Sequence, residues 1–110
     1  MNLRAILKQY FGYADFRPLQ EDIISHVLAK KDALVLMPTG GGKSLCYQIP
    51  ALAFEGMTLV ISPLIALMKD QVDALKANGI FAEFIISTMT PIRIEEVLAR
   101  VRSGEIKILY

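Results

Sequence analysis

A glycine-rich segment stands between two apolar stretches and has the residue types that bind nucleotide phosphates. It runs Met37-Pro38-Thr39-Gly40-Gly41-Gly42-Lys43-Ser44 and follows the apolar run 33–36. Consecutive glycines allow positive φ angles, so that successive N–H groups converge on one anion at the positive end of a following helix. Lys43 would supply a cation for the outer phosphates, and Ser44 a hydroxyl for Mg²⁺. The pattern therefore predicts a nucleoside triphosphate site made of Thr39, Gly40, Gly41, Gly42, Lys43 and Ser44.

The segment departs from the general phosphate-loop pattern at one position. That pattern has a glycine five residues before Gly42, where this chain has Met37. A flexible glycine turn that happens to precede a lysine is the alternative interpretation. The strand–loop–helix context of the segment favours phosphate binding.

A second candidate for nucleotide chemistry lies upstream, in the aromatic-rich stretch 11–20. Gln20 carries both a donor and an acceptor on its amide, so it can bond an adenine edge. An aromatic side chain a few residues before it can stack on the base. Gln20 precedes Lys43 by 23 residues, enough for one helix and one strand to return it to the nucleotide. The alternative is an aromatic-rich connector before a helix.

A third candidate follows the second apolar run and concerns nucleic acid. Ser62 ends that predicted strand, and Pro63 and Leu64 open the next helix. The helix N-terminus would then lie at the same sheet edge as the phosphate loop, where open α/β sheets bind ligands. Backbone N–H groups at such a terminus suit a nucleic-acid phosphate. Leu67 and Met68 are predicted to be core residues.

Length, composition and net charge limit the classes of protein to which the chain can belong. The chain has 110 residues, one domain at most, with 54% hydrophobic residues and a net charge of +1. An apolar composition is typical of parallel sheets covered on both faces. The apolar stretch 57–68 is too short to span a bilayer, so we expect no membrane partner and a cytoplasmic, nucleoid-associated protein. Cys46 is the only cysteine, so an internal disulfide cannot form. Cys46 is predicted to be buried. His26 is predicted to lie on the surface.

Hydrophobic periodicity predicts an α/β fold. Strands are expected over 33–37, 57–62, 80–86 and 106–110, recurring roughly every 24 residues. That rhythm predicts a four-stranded, mostly parallel sheet with helices on both faces. The predicted helices are 3–10, 19–30, a helix from Lys43 to about 54 that Pro50 should kink or end early, 64–77, and 91–102 with Thr90 as its N-cap.

Catalysis by a phosphate-loop ATPase needs one more group. An acidic residue at the end of another strand holds Mg²⁺ and helps to activate water. No Asp-Glu pair follows an apolar strand in this sequence. We therefore expect that the chain alone binds nucleotide without hydrolysing it.

Three motifs, in order and spacing, resemble those of the RecQ family of ATP-dependent DNA helicases. Phe16-Arg17-Pro18-Leu19-Gln20 is similar to motif 0 of that family, the phosphate loop with Leu45-Cys46-Tyr47-Gln48 to motif I, and 62–72 to motif Ia. The loop variant itself resembles that of superfamily 2 helicases. One departure is Ile86, where the family commonly has asparagine before the serine.

The resemblance implies a 3′-to-5′ DNA-unwinding motor with two RecA-like lobes of the P-loop NTPase class, acting in repair and recombination. Residues 1–110 would be the front part of the first lobe, truncated before the Walker B box, with 1–31 as N-terminal helices carrying motif 0. The resemblance further implies that Tyr13 stacks on adenine and that Arg17 and Gln20 contact the base or its surroundings. Lys43 would be a catalytic residue that binds the phosphates, and Ser44 would bind Mg²⁺. ATP and single-stranded or duplex DNA would be the partners, and zinc would belong only to a C-terminal part.

Two other functions stay open at this point. A stand-alone ATP-binding module would have no need of motif Ia. A DEAD-box RNA helicase shares the phosphate loop and an upstream glutamine, but it has a Pro-Thr-Arg-Glu pattern where this chain has Ser62-Pro63-Leu64-Ile65.

Overall fold

The computed structural model describes residues 2–37 and 42–110, which form two compact units, Met1–Glu55 and Gly56–Tyr110. The predicted site residues Thr39, Gly40 and Gly41 lie outside the described residues. Within the described ranges, no helix has the length and apolar character needed to cross a bilayer.

The first unit is built from three helices: α1 (Leu3–Phe11), α2 (Gln20–Leu28) and α3 (Leu45–Ala53). Each helix contributes one fully buried side chain to a shared core, Leu7, Ile24 and Ile49 respectively. Around these three pack half-buried apolar residues: Leu3, Ile6, Phe11, Phe16, Leu28 and Leu45. This core holds the N-terminal helices against the helix that follows the phosphate loop.

The predicted strand at 33–37 is wrong for the structure as described. No residue of 33–37 is in a strand, and Leu34 and Leu36 are 90% and 86% exposed. An apolar run becomes a strand only where another strand pairs with its backbone. None of the described residues supplies such a pair for this run.

Helix α2 begins at Gln20, one residue later than expected, because Leu19 has a left-handed φ of 72°. Helix α3 passes through Pro50 and ends at Ala53, close to the predicted end at about 54. A proline removes one helical hydrogen bond, here to the carbonyl of Cys46. The Pro50 side chain is fully buried, and apolar burial offsets part of that loss.

The second unit is an α/β structure with a parallel sheet. Its elements are β1 (Thr58–Leu59), α4 (Ile65–Ala77), β2 (Ala82–Glu83), α5 (Pro91–Arg102) and β3 (Ile108–Leu109). The strand order is β1-β3-β2, and both pairs are parallel. The prediction of a parallel α/β sheet is confirmed, although three strands rather than four pair among residues 2–37 and 42–110.

Helix α5 has the predicted bounds because its ends are specified locally. The Thr90 hydroxyl accepts a hydrogen bond from the Arg93 N–H at 3.2 Å, and Pro91 stands at the first helical position. Both features favour a helix start at that residue. On its inner side Val97 packs with Ile106 and Leu109, which places the helix against β3.

A buried carboxylate joins both helices of this unit to the sheet. Glu83, on β2, is 1% exposed. Lys76 of α4 lies 2.5 Å from its Oε1, and Arg93 and Arg100 of α5 lie 2.8 and 3.5 Å from its Oε2. A buried charge is tolerated when cations pair with it, and the Arg93 contact is also a hydrogen bond to Oε2. Glu83 therefore fixes α4 and α5 on the same strand.

Replacing Glu83 by glutamine should destabilise the protein by about 1–3 kcal/mol, because the ion pairs with Lys76, Arg93 and Arg100 are lost, and with them the charge-assisted hydrogen bond from Arg93. The urea midpoint should fall while its slope stays constant. Glu96→Gln is the matched control: Glu96 also pairs with Arg93, but its side chain is 59% exposed. Equal midpoints for the two variants would contradict this role for Glu83.

Candidate nucleotide-binding site

The side-chain amide of Gln20 connects two motifs that are far apart in sequence. Gln20 is 1% exposed. Its Oε1 accepts a hydrogen bond from the Arg17 N–H at 2.8 Å, and its Nε2 donates one to the Gly42 carbonyl at 3.0 Å. The motif around Gln20 therefore contacts the last glycine of the phosphate loop directly.

Gly42 leaves room for this contact only because it has no side chain. Its φ is +83°, and a Cβ added there would lie 2.1 Å from the Gln20 Nε2 and 3.7 Å from the Arg17 Cδ. The first distance is far inside van der Waals contact. Both the backbone conformation and the approach of Gln20 thus require glycine at this position.

A cavity of about 420 Å³ opens beside this contact. Its volume is within the range of small-molecule sites. Five of its lining residues were predicted as site residues: Tyr13, Arg17, Gln20, Gly42 and Ser44. The other lining residues are Leu7, Phe11, Asp15, Leu45 and Gln48. Aromatic, amide, guanidinium and hydroxyl groups therefore meet around one space of small-molecule size.

Arg4 of α1 holds the loop that carries Tyr13 and Arg17. Its guanidinium lies 3.4 Å from Asp15 and 3.2 Å from Glu21, and 5.9 Å from the ring centre of Phe16. Exposed ion pairs contribute little individually. Together they connect α1 to the loop and to the first turn of α2, while Tyr13 stays 56% exposed and accessible for stacking.

The start of α3 provides backbone donors for an anion. Ser44 is its N-cap, no side chain caps the helix, and the first turn has no acidic residue. Lys43, just before it, is exposed. A helix N-terminus without a neutralising carboxylate favours a bound phosphate.

For Mg²⁺ the described residues offer few ligands. Among residues 2–37 and 42–110, no three His, Cys, Asp or Glu side chains are grouped so that they could hold a metal ion. Mg²⁺ at nucleotide sites is commonly held by one or two protein oxygens together with the phosphates. The Ser44 hydroxyl fits that mode, since it stands at the helix start next to Lys43.

The candidate nucleic-acid contacts lie in the second unit. The Ser62 hydroxyl accepts a hydrogen bond from the Leu64 N–H at 3.3 Å, and Pro63 and Leu64 are exposed. Helix α4 begins at Ile65, and no side chain caps its N-terminus. Met68 is buried as predicted, whereas Leu67 is 44% exposed, so its assignment to the core is wrong.

Comparison with known proteins gives the family. The model of the DEAD/DEAH box helicase family matches residues 17–110. The chain belongs to this family. It is 58% identical over 106 residues to ATP-dependent DNA helicase RecQ of Haemophilus influenzae, covering 96% of this chain and 17% of that protein. The same-named proteins of Pasteurella multocida and Bacillus subtilis are 57% and 53% identical, with 96% and 97% of this chain and 17% and 18% of theirs covered.

These relatives confirm the resemblance to RecQ helicases that the three motifs predicted. The chain spans about one sixth of the length of the curated relatives it matches, 17% of the first. Helicase membership also confirms the P-loop NTPase fold class, of which the parallel sheet of the second unit is a part.

Two features of the site were missed by sequence reasoning. Arg4 has partners 11 and 17 residues away, and no local pattern indicates such contacts. The position of Gln48 could have been predicted from its spacing to Ser44. Gln48 is 6% exposed and lines the cavity, one helical turn after Ser44. Residues four apart share a helix face, so Ser44 could have indicated Gln48.

Cys46 and His26 lie where they were predicted. Cys46 is 6% exposed, with its Sγ 3.8 Å from the Gly42 carbonyl, and burial raises the pKa of its thiol. His26 is exposed, and its Nε2 is 2.8 Å from the Asp32 carbonyl. Within residues 2–37 and 42–110, neither residue belongs to a group of three side chains that could hold a metal ion.

The raised pKa of Cys46 predicts slow alkylation in the folded protein. The thiolate is the reactive form, so iodoacetamide at pH 8 should modify the folded chain more slowly than the urea-unfolded chain. Because the unfolded thiol ionises first, stability should also fall as the pH rises past the ordinary thiol pKa. Equal alkylation rates with and without urea would show that Cys46 is neither buried nor shifted.

Proposed function

We propose that this chain is the nucleotide-binding part of a RecQ-type ATP-dependent DNA helicase, in which ATP hydrolysis drives 3′-to-5′ unwinding. One observation carries the proposal: Gln20 joins an aromatic-lined cavity to the last glycine of the phosphate loop. This contact supports a base site and a phosphate site that are neighbours. The relatives named as DNA helicases support the reaction and the substrate.

In this proposal the nucleotide is ATP with Mg²⁺. Its base lies in the cavity with the ring against Tyr13, and Arg17 borders the base. Its phosphates meet the loop residues Thr39 to Gly42 and the start of α3. Lys43 neutralises the outer phosphates, and Ser44 supplies a hydroxyl to Mg²⁺, which balances charge on the phosphates.

Single-stranded or duplex DNA is the proposed second partner, contacted through Ser62, Pro63 and Leu64. The uncapped N-terminus of α4 and the exposure of two of these residues support a phosphate contact there. A DNA substrate also supports a cytoplasmic, nucleoid-associated location and roles in repair and recombination.

Two alternatives have distinguishing tests. A stand-alone ATP-binding module would bind ATP with the same affinity whether or not DNA is present. A DEAD-box RNA helicase would have its ATPase stimulated by RNA rather than by DNA. The match to the broad helicase family is compatible with either, but the Ser62-Pro63-Leu64-Ile65 sequence and the named relatives favour DNA.

Lys43→Ala in the full-length protein should reduce ATP turnover and unwinding together, by about 10²-fold or more. The ammonium meets charge that develops on the outer phosphates in the transition state, so its loss affects the chemical step. Steady-state ATPase and strand-separation assays measure the effect. Lys31→Ala, at an exposed lysine of the same unit, is the control. Wild-type turnover in Lys43→Ala would refute the phosphate-loop assignment.

Gln20 should also give the protein a preference for adenine over guanine. Its two bonds to backbone use one amide hydrogen and one lone pair of the oxygen, and an amide has a second of each. Mispairing with guanine costs about 1–3 kcal/mol, or about tenfold or more in affinity. The ratio of ATP to GTP affinity should therefore fall in Gln20→Ala. An unchanged ratio would remove Gln20 from base recognition.

A further inference from the structure

The short segment 13–15, between α1 and the core residue Phe16, has few contacts of its own. Tyr13 and Asp15 both line the cavity in which we place the base. The segment belongs to no helix or strand. In the part of the chain that the structure describes, its backbone forms no hydrogen bond with other backbone groups. Side-chain contacts must therefore set the position of this segment at the cavity.

Arg4 of α1 supplies a polar contact to this segment. Its Nη1 lies 3.4 Å from Oδ1 of Asp15, and its Nη2 lies 3.2 Å from Oε1 of Glu21, in the first turn of α2. Its Cζ also lies 5.9 Å from the ring centre of Phe16. The donors of a guanidinium form a rigid fork, so one arginine can hold two carboxylates in a fixed geometry. Arg4 thus connects the segment 13–15 to α2.

Arg4 can act as an anchor because α1 is itself fixed in the first unit. Leu7, three residues later on the same helix, is fully buried in the core. The Asn2 side chain caps the helix by accepting a hydrogen bond from the Ala5 N–H at 3.2 Å. Arg4 lies within this capped first turn. Its backbone is therefore held from two sides, while its side chain reaches out to the loop.

The energies involved are small, but a segment with few other contacts responds to small energies. Exposed ion pairs and exposed cation–π contacts each contribute about 1 kcal/mol or less. Such contributions matter little for the stability of the whole protein. They matter more for the fraction of molecules in which the segment 13–15 is correctly placed, and the apparent affinity of a ligand falls in proportion to that fraction.

We propose that Arg4 is a positioning residue for nucleotide binding, which holds the segment 13–15 where Tyr13 accepts the base. The inference rests on the proposed function, because it assumes that the cavity takes the base of ATP. Among the described residues that line the cavity Arg4 is not found, so it acts through Asp15 and Phe16 rather than on the nucleotide. A residue of α1, outside the three sequence motifs, would then contribute to nucleotide recognition.

The test is calorimetric titration of the full-length protein with two ligands, ATP and the base-free ligand tripolyphosphate, each with Mg²⁺. Arg4→Gln should bind ATP about fivefold more weakly than the wild type, the scale of an exposed ion pair together with a cation–π contact. Its affinity for tripolyphosphate should not change. Lys8→Gln is the matched control and should bind both ligands like the wild type, because Lys8 is an exposed cation one helical turn further along α1.

Asp15→Asn distinguishes positioning from a direct effect of charge on the phosphates. If Arg4 positions the segment through Asp15, Asp15→Asn should weaken ATP binding as Arg4→Gln does. The double variant should then lose less than the sum of the two single losses, because both remove the same contact. A direct effect of charge would instead strengthen ATP binding in Asp15→Asn, since a negative charge is removed. Stronger binding in that variant would overturn the inference.

The remaining outcomes are equally decisive. Wild-type ATP affinity in Arg4→Gln, or an equal loss of affinity for ATP and tripolyphosphate, would overturn the inference. Loss of the folded circular-dichroism spectrum in both Arg4→Gln and Asp15→Asn would assign these contacts to stability and would also overturn it. If the wild type itself bound no ATP, the proposed function would fall, which is a different result from an unchanged affinity in Arg4→Gln.

Discussion

The close approach of a side-chain amide to a glycine backbone is the contact on which the first unit depends. Gln20 reaches the Gly42 carbonyl only because α2 begins where it does, because Leu19 turns the chain with a positive φ, and because position 42 has no Cβ. The shared core of Leu7, Ile24 and Ile49 holds α1, α2 and α3 together, and the amide adds a hydrogen bond from the start of α2 to the Gly42 carbonyl.

The second unit depends on a different constraint, which is the placement of charge. Parallel strands are normally buried, and β2 nevertheless carries the carboxylate of Glu83. Three cations from two helices surround it, and their exposed portions keep them partly hydrated. Such a cluster favours one arrangement of α4 and α5, because any other would leave a buried charge unpaired. The first unit thus relies on a neutral contact and the second on an ionic one.

Local signals predicted the elements whose ends are set by neighbouring residues. Helix α5 has its predicted bounds because Thr90 and Pro91 specify the start through short-range bonds. Other elements were predicted less well, because their bounds depend on contacts between residues far apart in sequence. The start of α2 depends on the turn at Leu19, and the run 33–37 has strand composition without a described pairing partner.

The candidate site shows the same division between local and long-range information. Motif spacing indicated that the stretch around Gln20 returns to the glycine segment, and the structure places both at one cavity. What spacing could not indicate is that the two meet through a hydrogen bond to backbone. A motif names the residue types that recognition needs, whereas the partner of a buried amide follows from packing of the whole unit. A residue at such a junction can act on the ligand and on the loop that binds it. For that reason, the loss of ATP binding in a Gln20 variant does not by itself identify its role, and ligands with and without a base separate the two effects.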